Sequence, residues 1–139
     1  MQLILHIGTA KTGTTSFQHY FSKNRDALKS QGIWYATSLG LPSNRNISIC
    51  ACDSNKPDYG FFKRGLTKPA KHRKFCSKIK EDFDREVDEA FKQNCRYFII
   101  SSEHLHSRLK SDKQVHRVKN FVTHEAFKKI LVLVSLRPQ

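Results

Sequence analysis

Apolar residues recur along this chain in two alternating spacings. Leu3-Ile-Leu-His-Ile7 is a short apolar run ended by Gly8, the pattern of a strand buried in a parallel sheet. Beyond a turn over Gly8 to Gly13, Phe17, Tyr20, Phe21 and Leu28 fall at offsets of three, four and seven. That spacing lays them on one face of a helix running from Thr14 to a glycine stop at Gly32. Phe75, Ile79, Phe83, Val87 and Phe91 then repeat every four residues among Lys, Asp and Glu, which predicts a second amphipathic helix packed on the core. Arg96-Tyr-Phe-Ile-Ile-Ser101 reads as a second strand and Lys129-Ile-Leu-Val-Leu-Val-Ser-Leu136 as a third. Between them Val115, Val118, Phe121 and Val122 mark the buried stripe of a helix over about Asp112 to Ala126. Tyr20 and Trp34 are expected to pack. Strands alternating with helices give an α/β fold, a parallel sheet with flanking helices and right-handed crossovers.

The stretch from Ala36 to Pro69 breaks both spacings. Gly40, Pro42, Pro57, Gly60, Gly65 and Pro69 interrupt it, so it reads as a long loop with one helical turn near Ile47 to Cys52. Its Arg45, Lys56, Lys63, Arg64 and Lys68, beside Tyr59, Phe61 and Phe62, fit an anion-binding element or a solvated loop anchored by its aromatics; the anchored loop is the simpler reading.

The length of 139 residues suits one domain, 1–139. Lys+Arg 25 against Asp+Glu 12 leaves a formal +13, a surplus that attracts anionic partners without choosing among nucleotides, acidic sugars, nucleic acid or anionic membrane. Cys50, Cys52, Cys76 and Cys95 lack paired CxxC spacing and read as reduced thiols. The apolar run at the N-terminus is too short for a signal peptide or membrane span, which makes cytoplasmic residence the default.

The residues after the first strand carry the chemistry. Gly8 and Gly13 allow tight turns and close backbone approach to a ligand. The N-terminus of the helix starting near Thr14 points its N–H groups at one spot and favours an anion there. Lys11 adds a positive charge, and the hydroxyls of Thr12, Thr14, Thr15 and Ser16 add donors. Together they describe a phosphate or sulfate cradle. It departs from G-x-x-x-x-G-K-[ST], because the lysine stands at position 11 and Thr14 follows the second glycine. Neither later strand ends in an Asp suited to hold a metal, so metal-dependent phosphoryl transfer loses support.

His6-Ile-Gly-Thr-Ala-Lys-Thr-Gly-Thr-Thr-Ser-Phe-Gln18 resembles the 5′-phosphosulfate loop of the sulfotransferases that use 3′-phosphoadenosine 5′-phosphosulfate (PAPS), particularly bacterial members similar to carbohydrate sulfotransferases. Ile100-Ser-Ser-Glu-His-Leu105 looks like that family's strand end facing the acceptor, and Val132-Leu-Val-Ser-Leu-Arg137 like the strand leading to its 3′-phosphate site. The resemblance implies a P-loop-like fold, with Lys11, Thr12, Gly13, Thr14, Thr15 and Ser16 holding the 5′-phosphosulfate and Arg137 contacting the 3′-phosphate. A serine that the family pairs with this arginine would lie beyond Gln139, as would further helices, so an incomplete, N-terminal part of a sulfotransferase domain is expected. The implied reaction is transfer of a sulfuryl group from PAPS to a hydroxyl or amine of a carbohydrate or other small molecule, with no metal required and no nucleic acid partner expected. Glu103 or His104 would accept the acceptor's proton, Glu103 by preference. Glu103 also suits a first-turn acid on a helix capped by Ser101 or Ser102. His104 and His106 lack a third ligand at metal spacing, and the histidines at 6, 19, 72, 116 and 124 form no constellation in the sequence. Two other functions remain open at this stage: a P-loop nucleotide kinase or NTPase, and a basic nucleic-acid-binding module.

Overall fold

A computed structural model describes residues 1–9 and 13–136. Its elements are β1 (Gln2–Gly8), α1 (Thr14–Lys23), α2 (Arg25–Ser30), β2 (Ile33–Tyr35), α3 (Asn46–Ala51), α4 (Tyr59–Lys63), α5 (Pro69–Lys92), β3 (Tyr97–Ser101), α6 (His104–Arg108), α7 (Asp112–Val122) and β4 (Lys129–Ser135). Among the described residues the strands form one four-stranded parallel sheet in the order β2-β3-β1-β4. The α/β architecture with flanking helices is therefore as the periodicity predicts.

Alternation along the strands assigns the two faces. Leu3 and Leu5 of β1 and Phe98 and Ile100 of β3 turn toward α5, α6 and α7, joining Phe83, Val87, Leu105, Val118 and Val122 in the main core. Phe98 sits edge-on to Phe83 with ring centres 5.7 Å apart. The opposite face carries His6, whose ring lies 4.5 Å from that of Phe17 on α1. Glu86 of α5 ties the middle of β2 and the residues just after it to the core. Its carboxylate is buried and accepts from Trp34 Nε1 at 2.8 Å, Thr37 N and Oγ1 at 2.7 Å each, and Ser38 N at 2.9 Å.

Several expectations change. The first helix is interrupted at Asn24, whose φ of −105° and ψ of 23° leave the helical region; its backbone N–H keeps the helical bond to Tyr20 O at 3.0 Å, and its side-chain Nδ2 donates to the same oxygen at 2.8 Å. Tyr20 is 58% exposed rather than packed, whereas Trp34 is buried. A three-residue strand, β2, follows Gly32, whose φ of 76° suits glycine. On α5 a spacing of four drifts about 40° per step from the helical period, so Phe83 and Val87 face the core while Phe91 has rotated out and is exposed. Val115 of α7 is also half exposed.

The stretch 36–69 has the helical turn expected near Ile47 to Cys52, as α3, and beyond that is largely ordered against the core. Leu39, Ile47, Ile49, Phe61 and Leu66 are buried, and it contains both α3 and α4. Asn44, fully buried, supplies the anchor: its Nδ2 donates to Ala36 O and Gly40 O at 2.8 Å each, and its Oδ1 accepts from Ser101 N at 2.9 Å. The side chain thus extends the ladder to β3 where β2 has ended. Of the aromatics expected to anchor this stretch, Phe61 does so, while Tyr59 and Phe62 are exposed.

β4 departs most from a buried parallel strand. Ile130, Val132 and Val134 on one face and Leu133 on the other are each between 41% and 58% exposed, because β4 forms the edge of the sheet. Among the described residues no helix is long and apolar enough to cross a membrane.

Candidate functional site

Because every strand runs the same way, the ends of β1, β3 and β4 lie along one edge of the sheet. The chain leaves β1 to build β2 and β3 on one side, then passes from β3 to β4 on the other side of β1. A change of direction of this kind opens a crevice at the carboxyl ends of the two neighbouring strands, here β1 and β3.

The start of α1 lies at this edge, where Thr14 meets Glu103 just after β3. Gly13 has φ 78°, a left-handed conformation that glycine adopts without strain, and a Cβ built on it would meet nothing within 4 Å. Phe17 N makes the first helical bond, to Gly13 O at 3.2 Å. No described side chain caps this terminus and no acid occupies the first turn. A ten-residue helix therefore presents its positive end to the crevice. Thr15 and Ser16 are exposed beside it, while Thr14 is buried. The Thr14 hydroxyl donates to Glu103 Oε2 at 2.9 Å, joining the helix start to the end of β3 across 89 positions of sequence. Lys11, Thr12 and Arg137 lie outside the described residues. Among those expected to form the cradle, Gly13, Thr14, Thr15 and Ser16 are brought together with Glu103.

Behind this edge lies a polar network that the sequence reading missed. His6, 3% exposed, bonds Ser101 Oγ through Nδ1 and Ser135 Oγ through Nε2, both at 2.8 Å. Gln18 Nε2 of α1 donates to the same Ser101 Oγ at 3.3 Å. One imidazole thereby clasps the tips of β1, β3 and β4, and Thr9 N donates to Ser135 O at 3.1 Å to hold the first residue after β1. Burial pushes the His6 pKa below its ordinary 6.5. The unfolded chain then binds a proton more readily than the folded one. The stability that this group contributes is complete above pH 6.5 and declines as the pH falls through 6.5 toward the lower folded value. In urea titrations, His6→Gln should flatten the fall in stability between neutral and mildly acidic pH; an unaltered slope would show that other groups cause it.

Glu103 precedes α6 and does not sit in its first turn, and neither Ser101 nor Ser102 caps that helix with its side chain. Ser101 Oγ is engaged by His6 and Gln18, and Ser102 Oγ is buried with no partner among the described residues. The Glu103 carboxylate accepts instead from the Thr14 hydroxyl. His104 has a different setting. Burial pushes its pKa down, and the charge of Arg45 adds to the effect, with Glu103, Arg108 and Asp58 also acting on it. Arg45 and Arg108 both approach Asp58 Oδ2, at 3.6 and 3.5 Å. Within the described residues, then, it is Glu103 that meets the start of α1, and His104 belongs with the basic group around Asp58.

No protein-family model, no curated protein and no solved structure matches the chain. Two signals in the sequence pointed to the residues that pattern reading passed over. His6 interrupts an otherwise apolar strand, and Ser101 and Ser135 end the strands on either side of it. Among the described residues no three His, Cys, Asp or Glu side chains gather as a metal site.

Proposed function

We propose that the chain binds PAPS through the β1–α1 loop and uses Glu103 in sulfuryl transfer to a hydroxyl or amine of a carbohydrate or related small molecule. The observation that carries this reading is the uncapped start of α1 hydrogen-bonded, through Thr14, to a carboxylate at the mouth of the β1–β3 crevice. An anion site and a proton acceptor then lie side by side. The fit to a phosphosulfate rests on the left-handed Gly13 with open space before it, the exposed hydroxyls of Thr15 and Ser16, and the absence of an acid in the first turn of α1.

PAPS supplies an activated sulfuryl group on an anhydride oxygen. In the transfer, the acceptor oxygen or nitrogen forms a bond to sulfur while the sulfur–oxygen bond to the phosphate breaks. Glu103, oriented by the Thr14 hydroxyl, takes the acceptor's proton. Lys11 is assigned to the charge growing on the departing phosphate oxygen and Arg137 to the 3′-phosphate.

Ligand-dependent melting tests the reading against its alternatives. Adenosine 3′,5′-bisphosphate should raise the melting temperature of the full chain, in the presence of a chelator, more than ATP with magnesium does. A shift with magnesium-ATP alone would favour a kinase or NTPase. Binding only to DNA or RNA, steeply weakened by salt, would favour the nucleic-acid module.

A further inference from the structure

The stretch from Lys63 to Lys80 holds eight Lys and Arg residues and no acid. It joins the end of α4 to the first half of α5, and the proposed transfer uses none of it. Phe61 fixes the two helices as one platform. Its ring stacks on that of His72 with centroids 4.8 Å apart, and His72 Nε2 donates to Ile49 O at 2.8 Å, since a carbonyl can only accept. Ile49, Phe61 and Leu66 form a small second core, with Phe75 packed against it.

With Phe61, His72 and Phe75 turned inward, the side chains between them face water. On α4 these are Tyr59, 69% exposed, Phe62, 61% exposed, and Lys63. Phe62 and Lys63 follow Tyr59 by three and four positions and so share its face of the helix. Lys71, Arg73 and Lys74 of α5 are exposed, as is Lys68 just before it. Among the described residues Lys63, Lys68, Lys71, Arg73 and Lys74 form no ion pair, whereas Lys78 and Lys80 pair with Asp82 and Asp84.

Folding does not ask for this arrangement. A helix favours acids at its start and bases at its end, yet α5 has Lys71 and no acid in its first turn, and its acids run from Glu81 to Glu89 in the second half. Lys71 and Lys74 also repel each other across one turn. A bound anionic partner offsets both costs.

Two observations select a lipid surface among such partners. Four of the five unpaired cations are lysines, point charges suited to a diffuse negative surface and not to the bidentate recognition that arginine performs. The exposed aromatics also stand at one end of the cations: between Lys68 and Lys78 the one Phe, Tyr or Trp is Phe75, which packs inward. A nucleic acid strand stacks its bases on aromatics that lie among the cations, while a membrane interface takes apolar side chains beside lysines.

We infer that the exposed faces of α4 and the first half of α5 dock on an anionic membrane surface. Tyr59 and Phe62 enter the headgroup region, and Lys63, Lys68, Lys71, Arg73 and Lys74 lie against the lipid phosphates and carboxylates. The inference is independent of sulfuryl transfer.

Co-sedimentation of the full chain with vesicles of phosphatidylcholine, alone or with about a third phosphatidylserine, tests it. Binding is expected to the anionic vesicles only and should weaken between about 0.1 and 0.5 M salt. Lys71→Ala combined with Lys74→Ala should weaken it by roughly tenfold or more, and Phe62→Ser by about fivefold or more at unchanged charge. Lys110→Ala combined with Lys113→Ala removes the same charge elsewhere on the surface and should cost about twofold or less. Every substituted side chain is exposed, so the variants should melt with the parent chain. Equal binding to neutral vesicles, equal loss in the two double variants, or no effect of Phe62→Ser would overturn the inference. So would vesicles left unbound while an oligonucleotide binds through Lys71 and Lys74.

Discussion

Glu103→Gln is expected to lower the proposed sulfuryl transfer by about 10²- to 10⁴-fold, the usual cost of removing a positioned proton acceptor. The amide keeps an oxygen that can accept from the Thr14 hydroxyl, now 2.9 Å from Glu103 Oε2, so the link between α1 and the end of β3 persists. Affinity for adenosine 3′,5′-bisphosphate should therefore stay within a few-fold, and the loss should fall on kcat, not on KM for the donor. Bisphosphate release, followed over a panel of glycan acceptors, gives the readout. His104→Ala serves as the contrast. His104 sits among Arg45, Arg108 and Asp58, and its removal should cost much less. The reverse ranking would transfer the base to His104.

The largest effect on stability is expected at Glu86. Truncation to alanine removes one acceptor from four donor groups: the Trp34 indole, the Thr37 hydroxyl, and the backbone N–H groups of Thr37 and Ser38. Trp34 is only 4% exposed, so its indole N–H loses its partner without gaining water. Thr37 is exposed and can recover part of its loss from solvent. The sum for Glu86→Ala is about 2–4 kcal/mol, or a fall of roughly 10 °C in Tm. Glu86→Gln keeps the shape and one acceptor oxygen and should cost less than half of that. Urea or thermal unfolding measures both, and a change below about 0.5 kcal/mol in the alanine variant would show that water replaces the carboxylate throughout.

Legibility in the sequence followed the length of each element. β1, β3, α5 and α7 are long enough for a period to register, and their core residues Leu3, Leu5, Phe83, Phe98, Val118 and Val122 are buried as the spacing predicts. β2, with three residues, is too short to show alternation, and α4, with five, is too short to show a helical stripe, whereas the turn expected near Ile47 to Cys52 is α3. Between β2 and α3, Asn44 does with a side chain what a strand does with its backbone, which no periodicity records. The break at Asn24 is a local backbone turn, φ −105° and ψ 23°, that leaves the apolar spacing undisturbed. In the site, Gly13 and Thr14 announced themselves by type and order. Their pairing with Glu103 did not, since the two halves lie 89 positions apart and only the parallel register of β1 with β3 brings them together. His6 was hidden for a related reason: an imidazole inside an apolar run declares itself only once Ser101 and Ser135 flank it in space.

The proposed function requires the β1–α1 loop to hold a phosphosulfate-type ligand. Calorimetric titration of adenosine 3′,5′-bisphosphate into the full chain and into Lys11→Ala tests this most directly. The expected result is saturable binding without magnesium to the unsubstituted chain and an affinity weakened by about tenfold or more in the variant, equivalent to about 1.4 kcal/mol. Equal affinity in the two proteins, or no binding to either, would contradict it.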